Sequence, residues 1–122
     1  MKAKKFARLA LFLIYFWFGA LKVFGSSPAN PLVSDMLRKT APLISPETFI
    51  TILGLFEIVI GLLFLMPSLT KIAKTFFAIH MVMAFIPLVL LPEIVWNDLF
   101  VPTIEGQYII KNLGLIGLVI IL

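Results

Sequence analysis

Residues 53–66 read LGLFEIVIGLLFLM. Thirteen of these fourteen residues are apolar or glycine, and the exception is a carboxylate, Glu57. A run this apolar is a membrane-crossing helix or the centre of a large core. A chain of 122 residues is too short to enclose a core of that size, because a domain this small leaves much of its surface outside. Composition points the same way. The chain is 61% hydrophobic and 13% charged, against about 45–50% and about 25% in soluble domains. The solvent for the excess apolar surface is lipid.

Working outward from Glu57, four apolar runs appear at about 6–25, 48–66, 72–91 and 105–122. A helix needs roughly 17–25 residues to cross the hydrocarbon. The first three runs meet that length, and the fourth spans it by starting near Glu105 or by snorkelling and local thinning. The expectation is an all-α integral membrane four-helix bundle, with residues 1–122 as one transmembrane domain. The first run exceeds the roughly 7–15 residues of a signal-peptide core and no A-x-A site follows it, so a retained helix is expected. Residues 26–47 hold four prolines and read as a loop with one short amphipathic turn near 32–39, stiffened by Pro28, Pro31, Pro42 and Pro46.

Charge sets the expected orientation. Lys2, Lys4, Lys5 and Arg8 precede or open the first run, and Lys71 and Lys74 follow the 67–71 turn with no acid beside them. Glu93, Asp98 and Glu105 lie in the 92–105 segment with no base. The positive-inside rule places both termini and the 67–71 turn in the cytoplasm. The net charge of +4 is explained by such anchors, so no nucleic-acid partner is expected. With no cysteine and one histidine, thiol chemistry, cysteine-held clusters and a histidine-rich metal centre are excluded, and no metal site is expected.

Lys22, Glu57, His80 and Lys111 fall within the spans. At about 1.5 Å per residue, Glu57 lies about 14 Å and His80 about 17 Å from the outer ends of their helices, at nearly one depth, with both lysines nearer the outer face. Each shares a helical stripe with small or polar residues: Gly54 and Gly61 beside Glu57, Tyr15 and Gly19 beside Lys22, Ala73 and Ala84 beside His80, Gly114 beside Lys111. Small residues let helices approach closely in lipid, so all four are expected to face the bundle interior. An isolated charge at the bilayer centre costs at least about 2.5–3.5 kcal/mol, so Glu57 is neutral or paired, with His80 or a lysine as its partner. Intramembrane ionisable residues are functional by default, and a purely structural Glu57–His80 clamp is the alternative.

The pieces FWFGALKVF, LGLFEIVIGLLFLMP, the histidine of FFAIHMVMAF, and EGQYIIKNL resemble the DoxX/DoxD-like membrane proteins, in order and over nearly the whole chain. The family name comes from a subunit of a thiosulfate:quinone oxidoreductase, and other relatives are linked to oxidative-stress responses. The resemblance implies a small membrane subunit of a redox system in the cell (inner) membrane, with a quinone possible and no other cofactor evident. The positions that carry over are Trp17, Gly19, Lys22, Glu57, His80, Glu105, Gln107, Tyr108, Lys111 and Asn112. On this expectation Glu57 and His80 relay protons. Lys22, Lys111, Gln107, Tyr108, Trp17, Glu105 and Asn112 bind the quinone or a small anion in a pocket open to the outer face. Expected partners are the lipid bilayer and a redox subunit or further copies of the chain. The rival readings are a non-catalytic scaffold, whose polar residues only specify packing, and a small-anion transporter.

Overall fold

A computed structural model describes residues 2–27 and 30–122. Pro28 lies outside the described residues. Helix α1 spans Lys2–Val23, α2 Asn30–Thr40, α3 Pro46–Leu65, α4 Thr70–Phe85, α5 Pro87–Leu90, α6 Pro92–Val95, α7 Ile104–Ile110 and α8 Asn112–Ile120. A two-strand hairpin, β1 Trp96–Asp98 and β2 Val101–Pro102, separates α6 from α7. The chain is an all-α membrane protein apart from that hairpin. Among the described residues, three stretches are long and apolar enough to cross a bilayer: Lys2–Val23, Pro46–Leu65 and Pro67–Leu90.

The antiparallel pair α1–α3 is the spine. Gly19 and Gly54 meet back to back: a Cβ on Gly19 would stand 2.5 Å from the Gly54 carbonyl oxygen, and one on Gly54 would stand 2.6 Å from the Gly19 oxygen. Without those side chains the two backbones touch, which brings Lys22 over Glu57. At the other end of the pair, Arg8 donates to the Phe64 carbonyl at 3.0 Å and satisfies one of the last oxygens of α3. The turn at Pro67–Leu69 then returns the chain as α4 beside α3.

The hydrogen-bond ladder of the third apolar run is interrupted near Pro87. Pro87 has no N–H to give the Met83 carbonyl, and its ring crowds that turn, so α4 stops at Phe85 and α5 resumes at Pro87. The fourth run is also broken. Lys111 takes φ −62° and ψ −14°, and Gly114 N–H bonds the Lys111 carbonyl three residues back, a tighter turn than the α-helix. The resulting α7 and α8 pack against α4 and α1. The 26–47 segment carries more structure than one turn. Its Leu32, Val33, Met36 and Leu37 form an apolar face that turns inward, and Asp35, Arg38 and Lys39 form the polar one, so eleven residues make the helix α2.

Packing divides the molecule into two halves. Toward the Arg8 end, Leu11, Ile60, Phe64, Ala73, Phe77 and Val119 fill the interior, and Phe64, Leu11 and Ile60 have no exposed surface. Toward α2 the interior is hollow. Lys2, Lys4, Lys5, Lys71 and Lys74 belong to the solid end, through the first turns of α1 and α4, whereas Glu47, Glu93, Asp98 and Glu105 belong to the hollow end.

Candidate functional site

The site lies where the solid half meets the hollow one. Glu57 is buried, with 4% of its surface exposed, and both of its oxygens are used. Lys22 Nζ donates to Oε1 at 3.0 Å, and its side chain is equally buried. His80 Nε2 is 3.0 Å from Oε2. The other imidazole nitrogen, Nδ1, is 3.0 Å from the Tyr15 hydroxyl. The four side chains form one unbroken chain, Lys22–Glu57–His80–Tyr15, contributed by α1, α3 and α4. Helix periodicity explains it: Tyr15, Gly19 and Lys22 share one face of α1, and the Gly19–Gly54 contact brings that face onto Glu57. Phe56 and Phe76 pack together beside His80, and Tyr15 meets the imidazole edge-on with centroids 5.1 Å apart.

This quartet borders a cavity of about 690 Å³, lined by residues of α1 to α5, α7 and α8. The apolar face of α2 covers one side of it. Lys39 on α2 holds that helix to the end of α5, donating to the Leu90 carbonyl and to Glu93 Oε1, each at 3.0 Å. The Glu93 carboxyl is held below the usual carboxylate range by its own backbone N–H first, and by the Lys39 ammonium second. Beside it, the hairpin joins α6 to α7. Trp96 donates to the Leu88 carbonyl at 3.1 Å. The Thr103 hydroxyl donates to the Ile94 carbonyl at 2.7 Å and accepts from Gly106 N–H at 3.1 Å, capping α7.

Of the residues singled out in the sequence, Lys22, Glu57, His80, Tyr108, Lys111 and Asn112 line the cavity. Lys111 reaches the cavity from an exposed position at its rim, its ammonium 4.8 Å from the Tyr108 ring centroid and 6.0 Å from that of Phe18. Three expected ligand-binding residues lie elsewhere. Trp17 is 63% exposed, because it sits about 200° around α1 from Tyr15 at 3.6 residues per turn. Glu105 and Gln107 are exposed and do not line the cavity, because α7 buries Gly106 and Ile109 between and after them. Tyr15 was overlooked as a site residue. The signal was present, since it lies seven residues before Lys22 on the same stripe, but an aromatic in a phenylalanine-rich helix reads as packing. Among the described residues, no group of three or more His, Asp or Glu is placed to hold a metal.

Three bilayer-length apolar helices, with charged side chains buried and paired between them, define a multi-pass integral membrane protein. Comparison with protein families matches residues 3–90 to DoxX. The chain belongs to the DoxX family. The matched segment contains Tyr15, Lys22, Glu57 and His80 and ends at the last residue of α5, so Tyr108, Lys111 and Asn112 lie beyond it. No curated protein matches the chain, and no solved structure matches it.

Proposed function

We propose that this DoxX-family protein is a membrane subunit of a redox system, in which the cavity takes a lipid-soluble quinone and the Glu57–His80 pair moves its protons. The observation that carries this reading is a buried carboxylate bonded on both oxygens, by Lys22 and by His80, beside an apolar cavity. Small-molecule sites are mostly apolar hollows of about 300–1,000 Å³ with a few convergent polar groups, and this cavity has that character. A quinone supplies a flat apolar ring with two carbonyl oxygens, which reduction turns into hydroxyls at the cost of two electrons and two protons. The electrons come from a redox partner, because the residues of this chain supply none.

The residues of the chain account for the proton side. Lys22 donates to Glu57 Oε1 and gives the buried carboxyl its partner. Glu57 fixes the orientation of His80, whose two ring nitrogens let one side chain both take and give a proton. His80 and Tyr15 border the cavity, so a ligand's carbonyl oxygen seated there lies beside the proton-carrying end of the cluster. The same cluster also suits a scaffold, in which the ion pair only specifies how α1, α3 and α4 assemble.

Glu57→Gln separates the two readings. The amide keeps a hydrogen bond to its neighbours but exchanges no proton. A relay predicts the loss of at least about two orders of magnitude in quinone reduction per assembled protein, the usual weight of general acid–base catalysis. A scaffold predicts that reduction per assembled protein persists, while loss of the Lys22–Glu57 ion pair lowers the amount assembled.

A further inference from the structure

The four-residue chain has a direction, and from it we infer that Tyr15 is a proton-controlled donor: it bonds His80 when the imidazole is neutral and turns its hydroxyl hydrogen to a cavity ligand when His80 takes up a proton. Lys22 has only donors, so Glu57 Oε1 accepts from it. A carboxylate accepts at both oxygens, so His80 Nε2, 3.0 Å from Oε2, carries a hydrogen and donates. A neutral imidazole with hydrogen on Nε2 has a bare Nδ1, which accepts. The Tyr15 hydroxyl, 3.0 Å from Nδ1, therefore donates to it. In this arrangement every member is satisfied and the quartet is electrically neutral: one ammonium, one carboxylate, a neutral ring and a neutral phenol.

Only Nδ1 is open to a further proton, because Nε2 is already protonated. Once Nδ1–H forms, both ring nitrogens donate. The Tyr15 oxygen then accepts from Nδ1–H, and its own hydrogen rotates about the C–O bond to seek another acceptor. No covalent bond to Tyr15 breaks. The site changes from neutral to a single positive charge, and Tyr15 borders the cavity. The ligand atom that answers both changes is an oxygen carrying negative charge or a polarised carbonyl. The ionisable groups around His80 are Tyr15 and Lys22 on α1 and Glu57 on α3, with Tyr108 of α7 and Lys111 across the cavity. None of these offers Nδ1 an alternative partner within hydrogen-bond range. The inference deepens the relay reading and rests on it for the identity of the ligand.

His80 is the only histidine of the chain, so its imidazole nitrogens can be observed without assignment ambiguity. The experiment is nitrogen-15 NMR of the full chain in lipid bilayers, with carbon-13 at the tyrosine Cζ. At neutral pH the expected result is hydrogen on Nε2 and a bare Nδ1. Acidification until the ring is doubly protonated is expected to move the Tyr15 Cζ resonance, as the phenol changes from donor to acceptor. In Tyr15→Phe the Nδ1 resonance is expected to shift while Nε2 stays. Hydrogen on Nδ1 at neutral pH overturns the inference, as does a Tyr15 Cζ resonance that ignores ring protonation. The wild-type measurements decide the matter even where Tyr15→Phe does not fold. No quinone is needed for these measurements. A wrong tautomer removes the Tyr15 reversal and leaves the relay standing; failure of Glu57→Gln to affect quinone reduction removes the relay and leaves the reversal.

Discussion

Glu57 is a charge placed where an isolated charge is costly, and its environment is built around that cost. Both of its oxygens are bonded, and Lys22 and Glu57 are each about 95% buried. Such pairs are expensive to break and often neutral to replace as a unit. Lys22→Met is therefore expected to destabilise the protein by about 3–5 kcal/mol, because it leaves an unpaired carboxylate. The double variant Lys22→Met with Glu57→Leu is expected to regain most of that loss. Steric-trapping measurements of unfolding in bicelles check this; a double variant less stable than the single one contradicts it. Gly54 is the second decisive residue. Its missing side chain would collide with the Gly19 carbonyl, a backbone atom that cannot turn aside. Gly54→Ala is expected to cost about 1–3 kcal/mol through forced separation of α1 and α3. The same change at Gly114, where a Cβ meets nothing within 4 Å, is expected to be tolerated.

Among the elements, α2 is the one whose hold on the molecule is mainly polar at its C-terminal end. Its apolar face covers the cavity, and Lys39 ties it to Leu90 and Glu93. The Glu93 carboxyl is depressed in the folded protein, so the stabilisation it brings is present above its unfolded value and is lost as pH falls through the folded one. Intrinsic-rate-corrected hydrogen-exchange protection of α2 is expected to fall on acidification through the carboxylate range. Lys39→Met is expected to flatten that dependence. Protection of α2 that is unchanged in acid contradicts the role of this latch. The contrast with α1 and α3 is one of solvent: those helices meet through touching backbones and buried charges, whereas the Lys39–Glu93 pair is open to water and screening.

For the whole molecule, the solid end carries Lys2, Lys4, Lys5, Lys71 and Lys74, and the hollow end carries Glu93, Asp98 and Glu105. By the positive-inside rule that asymmetry predicts an orientation in which the solid end is cytoplasmic and the cavity opens toward the outer leaflet. The chain has no cysteine, so one introduced at Ser68 reports cleanly. It is expected to react with an impermeant maleimide only after the cytoplasmic side is opened; labelling of intact cells contradicts the orientation. The outer face of α1, with Phe6, Leu9, Leu13 and Trp17 exposed, is surface of the kind lipid covers.

Much of this was legible in the sequence, because the constraints concerned are local or general. An apolar run of bilayer length has few alternatives, and the helices at 6–25 and 48–66 fall within a few residues of α1 and α3. Periodicity put Tyr15, Gly19 and Lys22 on one face, and the cost of a lone charge in lipid demanded a partner for Glu57. Which partner was beyond its reach, since depth along separate helices says nothing of their rotation about one another. The Gly19–Gly54 contact fixes the rotation of α1 on α3 and brings Lys22 to Glu57, while α4, packed beside α3, brings His80 to the same carboxylate. Likewise, EGQYIIKNL reads as one polar motif, but the tight turn at Lys111 and the burial of Gly106 leave Glu105 and Gln107 off the cavity wall. The sequence by itself determined that this chain lives in a membrane and must neutralise Glu57. Only the tertiary structure decided how, because a charge pair depends on distances between helices, and those are set by which backbones can touch.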